Sequence, residues 1–385
     1  MADLWQTADL DEYLTRIVNE DDVEEQLVQE SRWKISYRES QFQRRGLVDA
    51  HARVTSLDDA DLSWDGLGVA DGAVTALRER GVPETRLHRY FAHPAVLEDA
   101  ELLGYYRTLA GVSENRLRKM KTLRPAVRAI EAGRSDRPED ATRRLCRFFN
   151  SLLSTWASGL TDGDPKRRAL HSALLTEGAA IEGSSRNAGG RKAVVNVASV
   201  LVEEFVEYGL LESFEVKRTS GDDLRTVGAD ELGDGFALTD LAGAYDVGVV
   251  RTTNGGSVNL DGTEPDMVVR SPAGVTAYGE IKDRKDVSNQ WEGWLPLVRS
   301  KLEGFRDADA GAERLLLQRV YTRRMIDGER GSDAEDVGIR EWVTDGLLDV
   351  PFNVSQILAD EASRDFFGAY VRRLLGYEVG AVAPA

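Results

Sequence analysis

Asp266, Glu280 and Lys282 are the residues of this chain whose types and spacing best suit joint chemistry. They lie in two apolar runs, Glu264-Pro265-Asp266-Met267-Val268-Val269-Arg270 and Val275-Thr276-Ala277-Tyr278-Gly279-Glu280-Ile281-Lys282. Ser271-Pro272-Ala273-Gly274 separates the runs, and Val-rich segments bounded by such residues predict two strands joined by a tight turn. Side chains alternate across a strand, so Val275, Ala277, Gly279 and Ile281 share one face, while Tyr278, Glu280 and Lys282 share the other. Asp266 opens the neighbouring strand, where a twisted hairpin brings its carboxylate toward that of Glu280. A hard divalent ion such as Mg2+ takes oxygen ligands, often one or two carboxylates completed by water and phosphate. Beside it, Lys282 can orient or deprotonate an attacking water, or offset charge developing on a phosphate. The chemistry implied is phosphodiester hydrolysis. The plain alternative is an edge-strand ion pair between Glu280 and Lys282 on a solvated face.

Pro265-Asp266, then thirteen residues, then Glu280-Ile281-Lys282 resembles the signature of the PD-(D/E)xK nuclease superfamily. A second acid-x-lysine, Glu215-Val216-Lys217, has no Pro-Asp ahead of it at a usable distance. The order of elements around the hairpin fits the resemblance. Residues 191–211 have helical apolar spacing through Val194, Val197, Ala198, Leu201 and Phe205, and Phe214–Arg218 reads as a short strand. After the hairpin, Asn289 with Glu292 forms a capping-box pattern ahead of Trp291, Trp294, Leu295, Val298, Leu302 and Phe305. Leu315–Tyr321 then reads as a buried strand.

The expected fold is α/β, a restriction-endonuclease-like core with a mixed central sheet flanked by helices and a large helical N-terminal region. The core is placed at 161–325, the helical region at 1–160, and a helical C-terminal support at 326–385. A nuclease core joined to such a region resembles a type II restriction endonuclease. That resemblance implies Mg2+-dependent cleavage of double-stranded DNA at a short specific sequence, a homodimer matching a palindromic site, and a cognate DNA methyltransferase. By the resemblance Asp266 and Glu280 bind Mg2+, Lys282 serves the attacking water, and Glu204 on the preceding helix is an optional extra ligand. Glu204 lies at the border of the apolar stripe and reads equally as a solvated flank acid. Two other readings stay open: a repair or recombination nuclease of the same fold, and a non-catalytic DNA-binding regulator.

Candidate DNA contacts come from two segments. Glu182–Lys192 reads as a glycine-rich basic loop running into a helix N-terminus, where Arg186, Arg191 and Lys192 suit phosphates; a capping linker is the alternative. Residues 103–128 have the pattern of a helix-turn-helix: a helix, an Ala-Gly-Val turn, Ser113 as cap, and a second helix with its extension. That second part carries Arg116, Arg118, Lys119, Lys121, Arg124 and Arg128. A solvated scaffold hairpin is its alternative reading. Arg32–Arg38 and Gln41–Arg45 interleave cations with aromatics, which suits nucleic acid and suits rather better a helix surface covered by long cationic side chains.

Composition bounds the rest. At 385 residues and 42% hydrophobic content the chain can bury a large core. Its net charge of -17 requires any DNA-binding cleft to be local, because phosphate neutralisation supplies the affinity. A single cysteine, Cys146, excludes an internal disulfide within this sequence and fits a reducing, cytoplasmic setting. No apolar run is long enough to span a bilayer and the N-terminus lacks a basic signal-peptide start, so no membrane association is expected. Gly221–Gly235 reads as an acidic insertion, Tyr245–Val250 as an added strand, and 354–375 as amphipathic helices whose apolar face through Phe366, Phe367, Tyr370, Val371 and Leu374 suits a dimer contact.

Overall fold

A computed structural model describes residues 10–20, 23–97, 99–134, 139–233, 236–262, 264–282, 295–328 and 338–379. The Asn289–Glu292 capping pattern, Trp291, Trp294, the N-terminal Met1–Trp5 and most of 328–336 lie outside the described residues. The chain divides into two compact units, one formed by residues 32–185 and the other by the remainder.

The 32–185 unit is helical. It holds most of α2 (Val23–Arg45), then α3 (Leu47–Ser56), α4 (Asp71–Arg78), α5 (Ala100–Leu109), α6 (Glu114–Lys119), α7 (Arg124–Glu131), α8 (Glu139–Ser158) and the first half of α9 (Pro165–Glu207). Its core gathers Tyr105, Tyr106, Phe91, Phe149, Leu67 and Leu77. The free thiol of Cys146 is buried there, and burial pushes its pKa up to about 12. The turn between α5 and α6 is as expected: Gly111 adopts φ 70, and Ser113 Oγ accepts from Arg116 N at 3.2 Å. The second helix, however, is split. α6 ends at Lys119, and Pro125, tolerated in the first turn because no donor is needed there, restarts the chain as α7.

The other unit carries an eight-stranded sheet: β1 (Leu211–Lys217), β2 (Arg225–Gly228), β3 (Asp246–Thr252), β4 (Ser257–Asn259), β5 (Met267–Ser271), β6 (Gly274–Lys282), β7 (Glu313–Gln318) and β8 (Val350–Asn353). Their order is β2-β1-β3-β4-β5-β6-β7-β8, antiparallel as far as β6 and parallel from β6 to β8. The parallel β6–β7 step is bridged by α11 (Leu295–Ala308), which follows the four-residue α10 (Leu238–Leu241) in chain order. Such a crossover needs a helix because parallel neighbours cannot be joined by a hairpin. The remaining helices are α12 (Arg323–Asp327), α13 (Ile339–Thr344), α14 (Val354–Ala359) and α15 (Glu361–Leu374). α1 (Leu10–Arg16) also belongs here: Tyr13 OH donates to Pro351 O at 2.6 Å, and Asn353 Nδ2 donates to Ile17 O at 2.6 Å. The α/β sheet flanked by helices, preceded by a helical N-terminal half, is the fold anticipated from sequence.

Four local expectations change. Residues 182–192 are not a loop but the middle of α9, a continuous 43-residue helix capped at Asp164, whose carboxylate accepts from Lys166 N at 3.0 Å. Each glycine costs about 1 kcal/mol relative to Ala, a penalty offset by packing of Ile181, Ser185, Ala193 and Val195. Residues 221–235 include β2, which pairs with β1 from Ser213 to Val216. The strand expected at 315–321 runs from Glu313 to Gln318, starting two residues earlier and ending three earlier, with Val320 and Tyr321 buried beyond its end. Finally, Phe366, Phe367, Tyr370, Val371 and Leu374 are buried in the sheet unit's own core, so α15 offers no exposed apolar face there for a second copy. Among the described residues no helix is long and apolar enough to cross a membrane.

Candidate active site at the end of the β5–β6 hairpin

The hairpin closes with Ser271 paired to Gly274, whose φ of 139° is open to glycine alone. Met267 pairs with Gly279, and continuing that register sets Asp266 beside Glu280. An alanine at 279 would bring its Cβ to 3.1 Å from Met267 Cβ, so the glycine lets the two strands' side chains pass. Ile281 N donates to Asp266 Oδ2 at 3.0 Å, which fixes the aspartate carboxylate against β6.

Lys282 Nζ lies 3.4 Å from the same Oδ2 and forms an ion pair with Glu280 Oε1. One ammonium thus touches both carboxylates. Glu280 is fully buried, whereas Asp266 and Lys282 keep about a quarter of their side-chain surface. Glu280 Oε2 is buried with no hydrogen-bond partner among the described residues. A buried carboxylate oxygen left unsatisfied is costly, and a bound cation or a water donor would satisfy it. With Asp266 alongside, the donor set suits a hard divalent ion completed by water and phosphate. Among the described residues no group of three or more His, Cys, Asp or Glu gathers as a metal cage, so the pair stands with two acids.

A further cation enters from α11. Lys301 Nζ is 2.7 Å from Glu280 Oε1 and 3.9 Å from Glu264 Oε1. Burial alone would lower its pKa, but the bond to Glu280 and the charges of Glu280, Asp266 and Glu264 outweigh that and raise it. Sequence reading missed Lys301. Its one local signal is position: it flanks the Val298, Leu302, Phe305 stripe, which matters only once α11 is known to cover the Glu280 face.

Glu204 stands elsewhere. Its carboxylate faces α15, 2.9 Å from Arg372 Nε, and a Cβ at Gly368 would meet it at 2.3 to 2.6 Å. The Arg372 guanidinium in turn lies 3.5 Å over the Tyr208 ring. Burial pushes the Glu204 pKa up to about 7, Arg372 opposing and Glu207 and Asp365 adding to the rise. The structure does not bring Glu204 into one cluster with Asp266 and Glu280.

Residues 72–220 match the XcyI restriction endonuclease family. It is a type II restriction enzyme family, so the likeness reached from the motif is met from a different part of the chain. The matched segment runs from α4 through β1 and ends before β5, which makes it independent of the Asp266, Glu280, Lys282 spacing. A comparison with curated proteins gives no match.

The XcyI-like segment contains the α6–α7 and α9 cations expected to meet DNA. Arg116, Arg118, Lys119, Lys121, Arg124 and Arg128 are all exposed in the helical unit. Arg118 bridges Glu114 at 2.7 Å and Glu131 at 3.5 Å, and Arg124 Nε donates to Arg118 O at 3.0 Å. Arg186, Arg191 and Lys192 are exposed along α9. The free N–H groups that a helix N-terminus would have supplied are absent there, since mid-helix amides bond within the helix. Arg191 instead hydrogen bonds the Tyr245 hydroxyl, its guanidinium 4.6 Å over the ring, with Lys217 Nζ 5.7 Å from the same centroid. The rival acid of the Glu215-Val216-Lys217 triplet is engaged by Arg251 at 2.8 Å.

Proposed function

We propose that the chain is a Mg2+-dependent type II restriction endonuclease that hydrolyses both strands of double-stranded DNA at a short specific sequence. The observation that carries this reading is the meeting of Asp266, Glu280 and Lys282 at the hairpin end, with one buried carboxylate oxygen of Glu280 unpartnered. The XcyI family likeness supports DNA as substrate. Asp266 and Glu280 would hold the divalent ion, which when bound supplies charge stabilisation to the phosphate. Lys282, partly exposed, orients the attacking water and offsets charge on the phosphoryl oxygens. Water oxygen adds to phosphorus, one P–O ester bond breaks, and the proton ends on the leaving oxygen.

Strand direction favours a DNA path along one margin of the sheet. Lys217 ends β1, Tyr245 precedes β3, Asp266 precedes β5, and Glu280 and Lys282 end β6, all at the same margin. Four strand spacings of about 4.8 Å separate β1 from β6, roughly 19 Å, or several phosphates of a duplex strand. The Arg191 and Lys217 pair on Tyr245 therefore suits backbone contacts away from the cut, while the α6–α7 cations suit recognition or positioning. Homodimerisation and a cognate methyltransferase belong to the same reading.

The test is incubation of the protein with plasmid DNA and Mg2+, alongside Asp266→Ala and Lys282→Ala. Discrete fragments from the unaltered protein, lost in both variants while DNA binding persists, are the expected result. A smear would indicate a structure-directed nuclease. Normal cutting by either variant would remove the assignment, and no cutting by the unaltered protein would leave a DNA-binding regulator.

A further inference from the structure

Glu280 is served by two ammonium groups on a single oxygen, and only one of them belongs to the β-hairpin motif. Lys301 is brought to it by packing. Phe305 on α11 sets its ring 5.5 Å from Tyr278 on β6, while Val298 and Leu302 bury the same helix stripe. One helical turn before Phe305 and two residues beyond Tyr278 on the strand, Lys301 and Glu280 meet.

The charges decide what that meeting does. Glu264, Asp266 and Glu280 carry three negative charges, Lys282 and Lys301 two positive ones, so the pocket holds one net negative charge. A divalent ion taken up by Asp266 and Glu280 reverses that sign and shares Glu280 with an ammonium already 2.7 Å from it. Two cations on one carboxylate repel. Glu264, 3.9 Å from Lys301 Nζ, is the neighbouring acid able to receive the displaced ammonium.

We infer that Lys301 is a resident stand-in for the metal, neutralising Glu280 in the metal-free protein and competing with the divalent ion for it. The inference rests on the reading of Asp266 and Glu280 as the metal pair. Lys301 acts through Glu280 and is a positioning residue. It holds the buried carboxylate in place before loading and weakens metal uptake until an anionic phosphate enters and adds negative charge.

Calorimetric titration of Mn2+ into the full, DNA-free protein tests this. Lys301→Met keeps the apolar stem and removes the charge; it should bind Mn2+ about tenfold more tightly than the unaltered protein, with Lys301→Arg near the unaltered value. Urea unfolding in EDTA should show Lys301→Met less stable, with Mn2+ restoring the loss. Equal or weaker Mn2+ binding by Lys301→Met, or none by either protein, overturns the inference; should that variant fail to fold, Lys301→Gln is judged by the same criterion. Glu280→Gln separates the two levels. If it retains Mn2+ binding, the metal-pair reading itself fails; if it loses binding while Lys301→Met is unchanged, only the stand-in role fails.

Discussion

Replacing Glu280 by Gln keeps side-chain volume and removes one charge, so its consequences follow from electrostatics with little repacking. At 2.7 Å and an effective dielectric of about 20, the attraction between Lys301 Nζ and Glu280 Oε1 is roughly 6 kcal/mol before solvation is counted. Desolvation of the buried carboxylate cancels most of it. Breaking an ion pair buried on both sides costs about 3 to 5 kcal/mol. Here both lysines reach solvent and keep a second acid, Asp266 for Lys282 and Glu264 for Lys301, so we expect a net loss of about 2 kcal/mol. Urea unfolding of both proteins in EDTA near neutral pH measures it. In Mg2+ the same variant should cleave plasmid DNA at least about a thousandfold more slowly, because on the proposed reading the divalent ion that offsets transition-state charge would lose one of its two carboxylates. A stability change under about 0.5 kcal/mol, or cleavage at the unaltered rate, would refute the view that Glu280 organises this pocket.

Gly368→Ala should destabilise the sheet unit by about 2 kcal/mol, seen as a lowered Tm, because the new Cβ would displace the buried Glu204 carboxylate from Arg372. For Glu204 the folded pKa of about 7 lies above its ordinary 4.5, so its contribution is intact below pH 4.5 and is lost as pH rises through 7. Glu204→Gln should flatten that fall, which is at most about 3 kcal/mol between pH 4.5 and 8 by urea unfolding; an unchanged pH profile would contradict the buried placement. Arg116→Ala combined with Lys121→Ala should weaken DNA binding most at low salt and reduce the salt slope by about 2, with an unchanged slope removing the α6–α7 face from the interface.

The hairpin was legible because everything that defines it is local: valine runs, a Ser-Pro-Ala-Gly turn and period-2 alternation place Glu280 and Lys282 on one face. The order helix, strand, hairpin, helix, strand was legible for the same reason, each element having its own periodicity. Lys301 was not, since its role depends on a parallel crossover that no short pattern encodes. β2, β4 and β8 were missed because strands of three or four residues give too few alternations; Pro351 in β8 is tolerated because that strand forms the sheet's edge. The helical course of 182–192 was hidden by its glycines, whose local penalty is outweighed by burial of Ile181, Ser185 and Ala193. The apolar stripe of α15 was read correctly as a stripe, but a sequence does not say whether its partner is another chain or its own sheet.

Because β5 and β6 run in opposite directions, Asp266 reaches the pocket from the beginning of one strand and Glu280 from the end of the other. Sliding the pair by a single position would turn one of the two acids to the far side of the sheet. Besides the Ser271–Gly274 turn, a greasy seam resists the slide: Met267 seated over the missing side chain of Gly279, with Val269 and Ala277 behind them. Core substitutions at these places should therefore extinguish activity in protein that still folds, and a variant screen scored only on polar positions would overlook the residues that keep the two acids in alignment.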